Sequence, residues 1–273
     1  MTEMLGETGF SESSLRLGMF LGVLLLMLAW EWRQPFRHSQ LTRRARWPAN
    51  IGIVVLDTLL VRLLLPAGAV GVAWWAQTAS FGLLNSAQLP AWLAIALAMV
   101  ALDIAIYWQH RLFHHVPWLW RLHRVHHVDQ AVDVTTGLRF HPLEIILSML
   151  IKMAVVALIG APVAAVLLFE VLLNACSLFN HANIQLPHRV ERALRWLLIT
   201  PTLHRVHHSQ ETIETNSNFG FSVTWWDRLF ASYRSRAKQG DDGVSLGIRE
   251  FRNAQQTNGL LNMLKLPWQR PQK

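Results

Sequence analysis

Long apolar segments restrict the fold of this 273-residue chain more than any other feature of its sequence. Leu17–Trp30 is uncharged, and Ala91–Gln109 contains only one charged residue, Asp103. Charged residues make up 15% of the chain, whereas soluble domains contain about 25%. Because a helix needs about 20 apolar residues to cross a bilayer, these segments predict an all-α integral membrane helical bundle.

Three further apolar segments raise the number of predicted crossings to about five. The first is interrupted by Asp57, Arg62 and Pro66, so we expect one crossing with a break whose position the sequence leaves open. The other two are separated only by Gly-Ala-Pro at 160–162, which predicts a tight helical hairpin spanning about residues 143–179. The three segments are Ile51–Ala76, Leu143–Ile159 and Val163–Phe179.

The distribution of charged residues predicts how the chain is oriented in the membrane. Arg33–Arg46 contains five arginines and no acid, which indicates a cytoplasmic loop. Met1–Leu15 contains Glu3, Glu7 and Glu12 and has no basic residue before Leu15, unlike a cleaved signal peptide. We therefore expect the N-terminus outside, and we assign the net charge of +8 to a cytoplasmic face rather than to nucleic-acid binding.

Histidine is the polar residue in excess, and twelve of the thirteen lie between His110 and His208. Residues 110–115 have the pattern H-x-x-x-H-H, and residues 123–127 and 204–208 share H-x-x-H-H with the same Arg-Val filler. Positions three and four apart lie on one helix face, so the imidazoles of a cluster can reach one metal. His115 points about 100° away from His114 and would be a ligand only if the helix ended there. The clusters predict a histidine-rich helical cap on the cytoplasmic side.

Two single histidines flank the predicted hairpin. His141 precedes it, and His181 follows a polar stripe on one helix face formed by Glu170, Asn174 and Ser177. Ligating imidazoles usually donate their second N–H to a carboxylate or carbonyl. The candidate carboxylates are Asp103, Asp129, Asp133, Glu144 and Glu170.

The types of candidate ligand limit the kinds of metal site that are possible, but they do not identify the metal. One cysteine, Cys176, excludes disulfide frameworks, iron–sulfur clusters and Cys-ligated zinc. Imidazole suits iron, zinc, copper and nickel, but nine or more histidines exceed the three ligands of a catalytic zinc. The count favours a dinuclear oxygenase that hydroxylates or desaturates a lipid. The alternatives are a zinc-dependent integral-membrane lipid hydrolase and a non-catalytic metal- or lipid-binding membrane protein.

Four short motifs accompany the histidine clusters in a fixed order. They are Arg-Phe-His-Pro-Leu-Glu at 139–144, Asn-His-Ala-Asn at 180–183, Asn-Phe-Gly at 218–220 and Trp-Asp-Arg-Leu-Phe at 226–230. With the clusters, they resemble the sterol desaturase and fatty acid hydroxylase superfamily over residues 98–235. The resemblance implies a membrane-bound non-haem di-iron oxygenase that uses O2 on a lipid such as a sterol or fatty acyl chain. Because imidazole also binds zinc, zinc could substitute for iron.

The resemblance also implies a ligand set, an electron donor and a division of the chain. Some superfamily members have a second histidine four residues before the position of His181, where this chain has Ser177, so His115 or His141 would complete the set. Electrons would come from a separate cytochrome b5-, ferredoxin- or flavoprotein-type partner. We expect membrane helices in 1–97, the di-iron domain in 98–235 and a polar tail in 236–273. The implied ligands are His110, His114, His123, His126, His127, His181, His204, His207 and His208.

Overall fold

The computed structural model describes residues 12–39 and 41–270, and it confirms the predicted all-α class. Within the described residues, seven helices have eleven or more residues and the other α-helices are shorter. The longer helices are α1 Glu12–Arg33, α2 Arg43–Leu64, α3 Gly68–Thr78, α5 Ala91–His115, α6 Pro117–His127, α7 Pro142–Ile159 and α8 Val163–His181. The short helices are α4 Leu83–Ser86, α9 His188–Leu194, α10 Pro201–His207, α11 Thr212–Thr215, α12 Trp225–Leu229, α13 Gly240–Gly243, α14 Ala254–Thr257 and α15 Leu260–Lys265. Two 3-10 helices lie at Val134–Leu138 and Leu266–Trp268.

In the part of the chain that the structure describes, five regions are long and apolar enough to cross a membrane, as expected for a multi-pass membrane protein. The second of them covers residues 43–86 and contains the predicted break. α2 ends at Leu64 and α3 begins at Gly68, so the structure places the break at residues 65–67. With 22 residues, α2 alone is about 33 Å long at 1.5 Å per residue, which is enough to span the hydrocarbon core.

Small side chains let the membrane helices pack closely. Ala69 and Ala73 of α3, Ala98 of α5 and Ala165 of α8 are almost completely buried in one core with Phe169. Alanines at such contacts bring helix backbones near one another, which is how helices associate where no water drives burial. Leucines on the outer faces remain exposed, and in a bilayer they contact lipid.

The hairpin turn lies where the Gly-Ala-Pro sequence predicts it. α7 ends at Gly160, whose φ of 64° is in the left-handed region that favours glycine. Gly82 packs against it so closely that a Cβ on Gly82 would lie 2.3 Å from the Gly160 nitrogen. This contact attaches the segment before α5 to the turn between α7 and α8.

The C-terminal segment, expected as a polar tail, packs against the cap as far as Gln269, whose carbonyl accepts from Arg124. Met263 and Leu266 are fully buried in a core with Val125 of α6. The Arg124 guanidinium donates to the Leu266 carbonyl (2.6 Å), and the Arg139 guanidinium donates to the Thr257 carbonyl (2.6 Å). These contacts place the segment against the backs of the elements that carry the histidines.

The orientation of the chain in the membrane stays a prediction. Glu3 and Glu7, on which it partly depends, lie outside the described residues. The hairpin starts and ends on one side of the bundle, which places the histidines before and after it at the same end.

Candidate metal centre

Four helices bring the nine predicted ligand histidines into two adjacent groups. In each group, one ring nitrogen from every member lies within 4.8 Å of those of the others. The groups meet at His127 and His208, whose rings stack with centroids 4.5 Å apart. The five-histidine group is His110, His114, His123, His127 and His207. The four-histidine group is His126, His181, His204 and His208.

The two H-x-x-H-H clusters divide between the groups in opposite ways. The cluster of α6 gives its first and last histidines to the five-histidine group and its middle one, His126, to the other group. The cluster of α10 gives its first and last histidines to the four-histidine group and its middle one, His207, to the five-histidine group. The remaining ligands come from the membrane helices, two from α5 and one from α8. Each extramembrane helix therefore contributes to both groups.

Local sequence sets the orientation of these helices. α5 continues to His115, Val116 is extended, and Pro117 begins α6 at once, so the chain turns sharply between the first two clusters. The Thr200 side chain caps α10 by accepting from the Leu203 N–H, and Pro201 is its first residue. These two residues therefore set where the helix of the third cluster begins.

Backbone carbonyls fix the tautomers of four rings. A carbonyl oxygen only accepts, so each of these rings carries its proton on Nδ1 and presents the lone pair of Nε2. The Nδ1 donors and their acceptors are His110 to Phe219 (2.7 Å), His126 to Thr136 (3.2 Å), His181 to Ser177 (2.6 Å) and His207 to Ser217 (2.7 Å).

The resulting lone pairs face one another. His126 Nε2 and His181 Nε2 lie 3.0 Å apart, and neither carries a proton to donate. His207 Nε2 and both nitrogens of His127 are buried without a hydrogen-bond partner among the described residues. Two imidazoles bound at right angles to one ion, each at about 2.1 Å, have nitrogens about 3 Å apart. The donor set therefore fits metal ions and is costly without them.

Burial keeps the rings uncharged. It lowers the pKa of His123 to about 3. Burial, followed by the neighbouring imidazoles, also lowers the pKa values of His207 and His208 well below their ordinary range. Since only neutral imidazole binds a metal, these rings are ready to act as ligands near neutral pH.

Among the predicted carboxylates, Glu144 is hydrogen-bonded to a ligand ring. His123 Nδ1 donates to Glu144 Oε1 over 2.6 Å, and both side chains are buried. The membrane carboxylates bind elsewhere. Asp103 accepts from the Trp226 indole (2.7 Å), and Glu170 pairs with Lys152 (2.9 Å) and with Arg16.

Asp129 and Asp133 act together through an arginine on α2. The Arg46 guanidinium is fully buried and donates to both oxygens of Asp129 (2.9 and 2.7 Å) and to Asp133 (2.8 Å). Asp133 in turn caps the 3-10 helix Val134–Leu138. That helix contains Thr136, whose carbonyl accepts from His126, so the ion pairs hold the backbone behind the four-histidine group.

His115 and His141 lie outside both groups. His115 is exposed on the last turn of α5, and its Nδ1 donates to the Arg111 carbonyl (2.7 Å). His141 is buried, but its Nδ1 accepts from the Leu143 N–H and its Nε2 donates to the Leu264 carbonyl (3.2 Å). His141 thus serves as the N-cap of α7, and neither residue completes the four-histidine group in this structure.

Asp227 has a structural role that its place in the sequence motif did not indicate. Its two oxygens accept from the N–H groups of Phe219 and Gly220 (2.8 Å each), and the Phe219 carbonyl holds His110. A Cβ on Gly220 would lie 2.5 Å from the Val223 oxygen, so only glycine fits there. The sequence signal was the pair of motifs at 218–220 and 226–230, which the fold brings together.

Comparison with known proteins gives a family match that includes every histidine of both groups. The family model for fatty acid hydroxylase matches residues 95–232. An ornithine lipid hydroxylase of Rhizobium tropici is 30% identical over 161 residues, covering 58% of this chain and 47% of that protein. The alkylglycerol monooxygenase of Homo sapiens is 26% identical over 159 residues, 56% of this chain and 34% of its own length. A very-long-chain aldehyde decarbonylase of Oryza sativa subsp. indica is 26% identical over 204 residues, which cover 71% of this chain and 29% of that protein.

This chain therefore spans less than half the length of these curated relatives. No solved structure matches it significantly.

Proposed function

This chain belongs to the fatty acid hydroxylase family, and we propose that it is a membrane-bound non-haem di-iron oxygenase that hydroxylates or desaturates a C–H bond of a membrane lipid. The observation that carries the proposal is the pair of adjacent buried histidine groups. We assign one iron to each group, held by the nine histidines named above. Two irons bound there would supply the reduction of O2 and the removal of hydrogen from an unactivated carbon.

The chain's own residues prepare this site. The carbonyls of Phe219, Thr136 and Ser177 fix ring orientation, so the ligands need little rearrangement when metal binds. Phe140 stacks on His126 with centroids 4.4 Å apart and an interplanar angle of 10°, which covers one face of a ligand ring. Such packing excludes water and protects a strong oxidant from side reactions.

The substrate and electron donor follow from the membrane setting. α5 and α8 carry ligands at their ends and lie in the bilayer for the rest of their length, so a lipid reaches the groups without leaving the membrane. The relatives are named as a lipid hydroxylase and an alkylglycerol monooxygenase. We propose that electrons come from a separate cytochrome b5-, ferredoxin- or flavoprotein-type donor. It would dock on a cytoplasmic histidine side, with the N-terminus of the chain outside.

A zinc hydrolase, the alternative that the sequence left open, gains no support from the relatives. It also leaves most of the nine histidines unexplained, since catalytic zinc uses three protein ligands. Metal analysis of the purified protein separates the two proposals. We expect about two irons per chain, and zinc-dependent hydrolysis without O2 would contradict our proposal.

The direct test is lipid profiling with isotopically labelled O2. Cells expressing the wild type should contain a lipid that has gained one labelled oxygen or lost two hydrogens. His126→Ala should abolish that product, because it removes a buried ligand from the four-histidine group. His115→Ala is the matched control, since His115 is exposed and outside both groups. Unchanged lipids in wild-type cells supplied with a donor system would contradict the oxygenase proposal.

A further inference from the structure

A polar cavity of about 540 Å³ opens beside the histidine cap and apart from both histidine groups. Its walls come from the linker between α1 and α2, from the loop 130–133 and from the C-terminal segment at Leu246 and Arg252. This volume is within the range of small-molecule sites, about 300–1,000 Å³. No role assigned above to the histidine site uses this cavity.

Arginines dominate the charge of the cavity. Arg37, Arg43 and Arg252 line it together with the exposed imidazole of His38. Arg46 and Asp133 also line it, and together with Asp129 they form the buried ion-pair cluster described above, whose formal charge of −1 is smaller than the charge of the other three arginines. The three remaining guanidinium groups therefore give the cavity a net positive charge.

These three arginines keep donors for a ligand. Arg37 Nη1 donates to the Val244 carbonyl (2.8 Å), Arg252 Nη1 donates to the Leu246 carbonyl (2.8 Å), and Arg43 Nη2 lies 3.4 Å from the Glu31 carbonyl. Each of these partners is a neutral carbonyl and takes one donor, whereas a guanidinium has five N–H groups. Arg37 also experiences the charge of Asp242, which lies near it without a direct ion pair. Guanidinium groups with spare donors are suited to bind phosphate or carboxylate in a bidentate manner.

The position of the cavity indicates the source of the anion. Two membrane helices border it, since α1 ends at Arg33 and α2 begins at Arg43. Trp32, at the end of α1, lines the cavity and is 75% exposed. Tryptophans at helix ends lie at the level of the lipid headgroups, so the cavity opens where the anionic part of a lipid is found.

We propose that this cavity binds the anionic headgroup of a membrane lipid, with its phosphate or carboxylate held by Arg37, Arg43 and Arg252. The proposal goes beyond the oxygenase function, because it holds whether or not the bound lipid is the one oxidised. Its test is a binding experiment on the metal-free or metal-loaded chain. The lipid-binding proposal therefore remains valid if the oxygenase proposal fails. In the same way, the oxygenase proposal remains valid if no lipid binds in the cavity.

The experiment is native mass spectrometry of the purified full chain, exchanged with phosphatidylglycerol or with phosphatidylcholine of the same acyl chains. The wild type should retain phosphatidylglycerol preferentially. Each of Arg37→Gln, Arg43→Gln and Arg252→Gln should weaken that binding about fivefold, the effect of about 1 kcal/mol per basic residue. Arg252 is exposed, so Arg252→Gln tests the proposal even if loss of the Arg37 hydrogen bond disturbs folding.

A charge-matched control separates the cavity from general attraction to the surface. The triple variant Arg189→Gln, Arg192→Gln, Arg236→Gln removes three exposed arginines that do not line the cavity, and it should keep the preference for phosphatidylglycerol. The comparison is the cavity triple variant Arg37→Gln, Arg43→Gln, Arg252→Gln. If the control loses as much phosphatidylglycerol binding as this variant, or if the wild type binds both lipids equally, the proposal is wrong. A third arm measures thermal unfolding with inorganic phosphate. Stabilisation by phosphate with none from phosphatidylglycerol would indicate a soluble-anion site and would overturn the lipid assignment.

Discussion

The two histidine groups use copies of one sequence pattern but differ in their number of donors. α6 and α10 contribute equally and oppositely to the groups, so the difference comes from the membrane helices. α5 supplies His110 and His114, which are four residues apart, whereas α8 supplies only His181 and has Ser177 four residues earlier. The five-histidine group therefore has one imidazole more than its neighbour. We expect the loss of one ligand to weaken metal binding more in the four-histidine group.

The groups also differ in what holds their ligands. A carboxylate, Glu144, is bonded to His123 of the five-histidine group. The four-histidine group depends on the loop behind His126, and that loop is held by Arg46. Arg46 lies outside the residues that match the family model. Similar metal sites are thus stabilised by different means, one by local charge and one by a distant helix.

The largest expected effect comes from removing a ligand of the four-histidine group. His204→Ala should eliminate about half of the bound iron and lower turnover at least a hundredfold, because three imidazoles remain in that group. Iron content and lipid product are measured together, with His115→Ala as the control. Full iron content in His204→Ala would show that the two groups are not separate metal sites.

Arg46→Met tests whether α2 stabilises the four-histidine group through the Arg46 ion pairs. Removal of the guanidinium leaves Asp129 and Asp133 buried without their partner, which should destabilise the protein by about 3–5 kcal/mol. Equilibrium unfolding in detergent measures this loss, and metal analysis should show preferential loss from the four-histidine group. Arg44→Gln on the same helix is exposed and should change neither quantity. Wild-type stability in Arg46→Met would contradict the assigned role.

Glu144→Gln tests the charge behind the five-histidine group. Glutamine keeps an oxygen that can accept from His123 but removes the negative charge, so iron in that group should bind about 10–100-fold more weakly. Competition with a chelator gives the affinity, and X-ray absorption reports the change at the metal itself. Exposed Glu250 provides the control variant Glu250→Gln. An unchanged affinity would mean that the hydrogen bond alone orients His123.

His114→Ala should have a smaller effect than His204→Ala. His114 is half-buried, its Nδ1 lies 3.3 Å from Asn216 Oδ1, and four imidazoles remain in its group after the substitution. We expect both irons to be retained. The affinity of the five-histidine group for iron should fall less than tenfold, which is a smaller loss than in Glu144→Gln. Parallel chelator titrations of the two alanine variants provide the comparison. Equal losses from both would remove the distinction between the groups.

Helical spacing sufficed to find the three clusters, because histidines three or four apart share a face whatever the fold around them, whereas the ligand role of His181 was implied by the family resemblance. It could not predict how His126 and His207 separate from their own clusters. That division depends on the angle at which α6 meets α10, which the packing of distant segments sets. The start of α10 at Thr200 and Pro201 was predictable because capping is local.

The role of Arg46 was not predictable for a different reason. It lies 83 residues from Asp129, and in the sequence it is one of five arginines that look like a cytoplasmic loop. The C-terminal segment was expected as a tail because its composition is polar. Two buried residues, Met263 and Leu266, are enough to fix it to α6. Long-range ion pairs and sparse apolar anchors leave no periodic signal in a sequence.

The smallest expected effect is that of Ser177→Ala, which asks whether the serine hydroxyl substitutes for the absent fifth histidine. A Cβ built on Gly137 would lie 3.1 Å from the Ser177 oxygen, 3.2 Å from His181 Nδ1 and 3.4 Å from Ser177 Oγ. These three atoms surround one point, so the hydroxyl lies on the Nδ1 side of the His181 ring.

The opposite edge of that ring carries Nε2, which faces His126 and His204. Ser177 therefore acts through its backbone carbonyl, which alanine retains. We expect unchanged iron content and a stability change within about 0.5 kcal/mol. Gly137→Ala, which pushes a methyl group against His181 Nδ1, should disturb the four-histidine group more. Loss of iron in Ser177→Ala but not in Gly137→Ala would identify the hydroxyl as a ligand and make the two groups equal in number of donors.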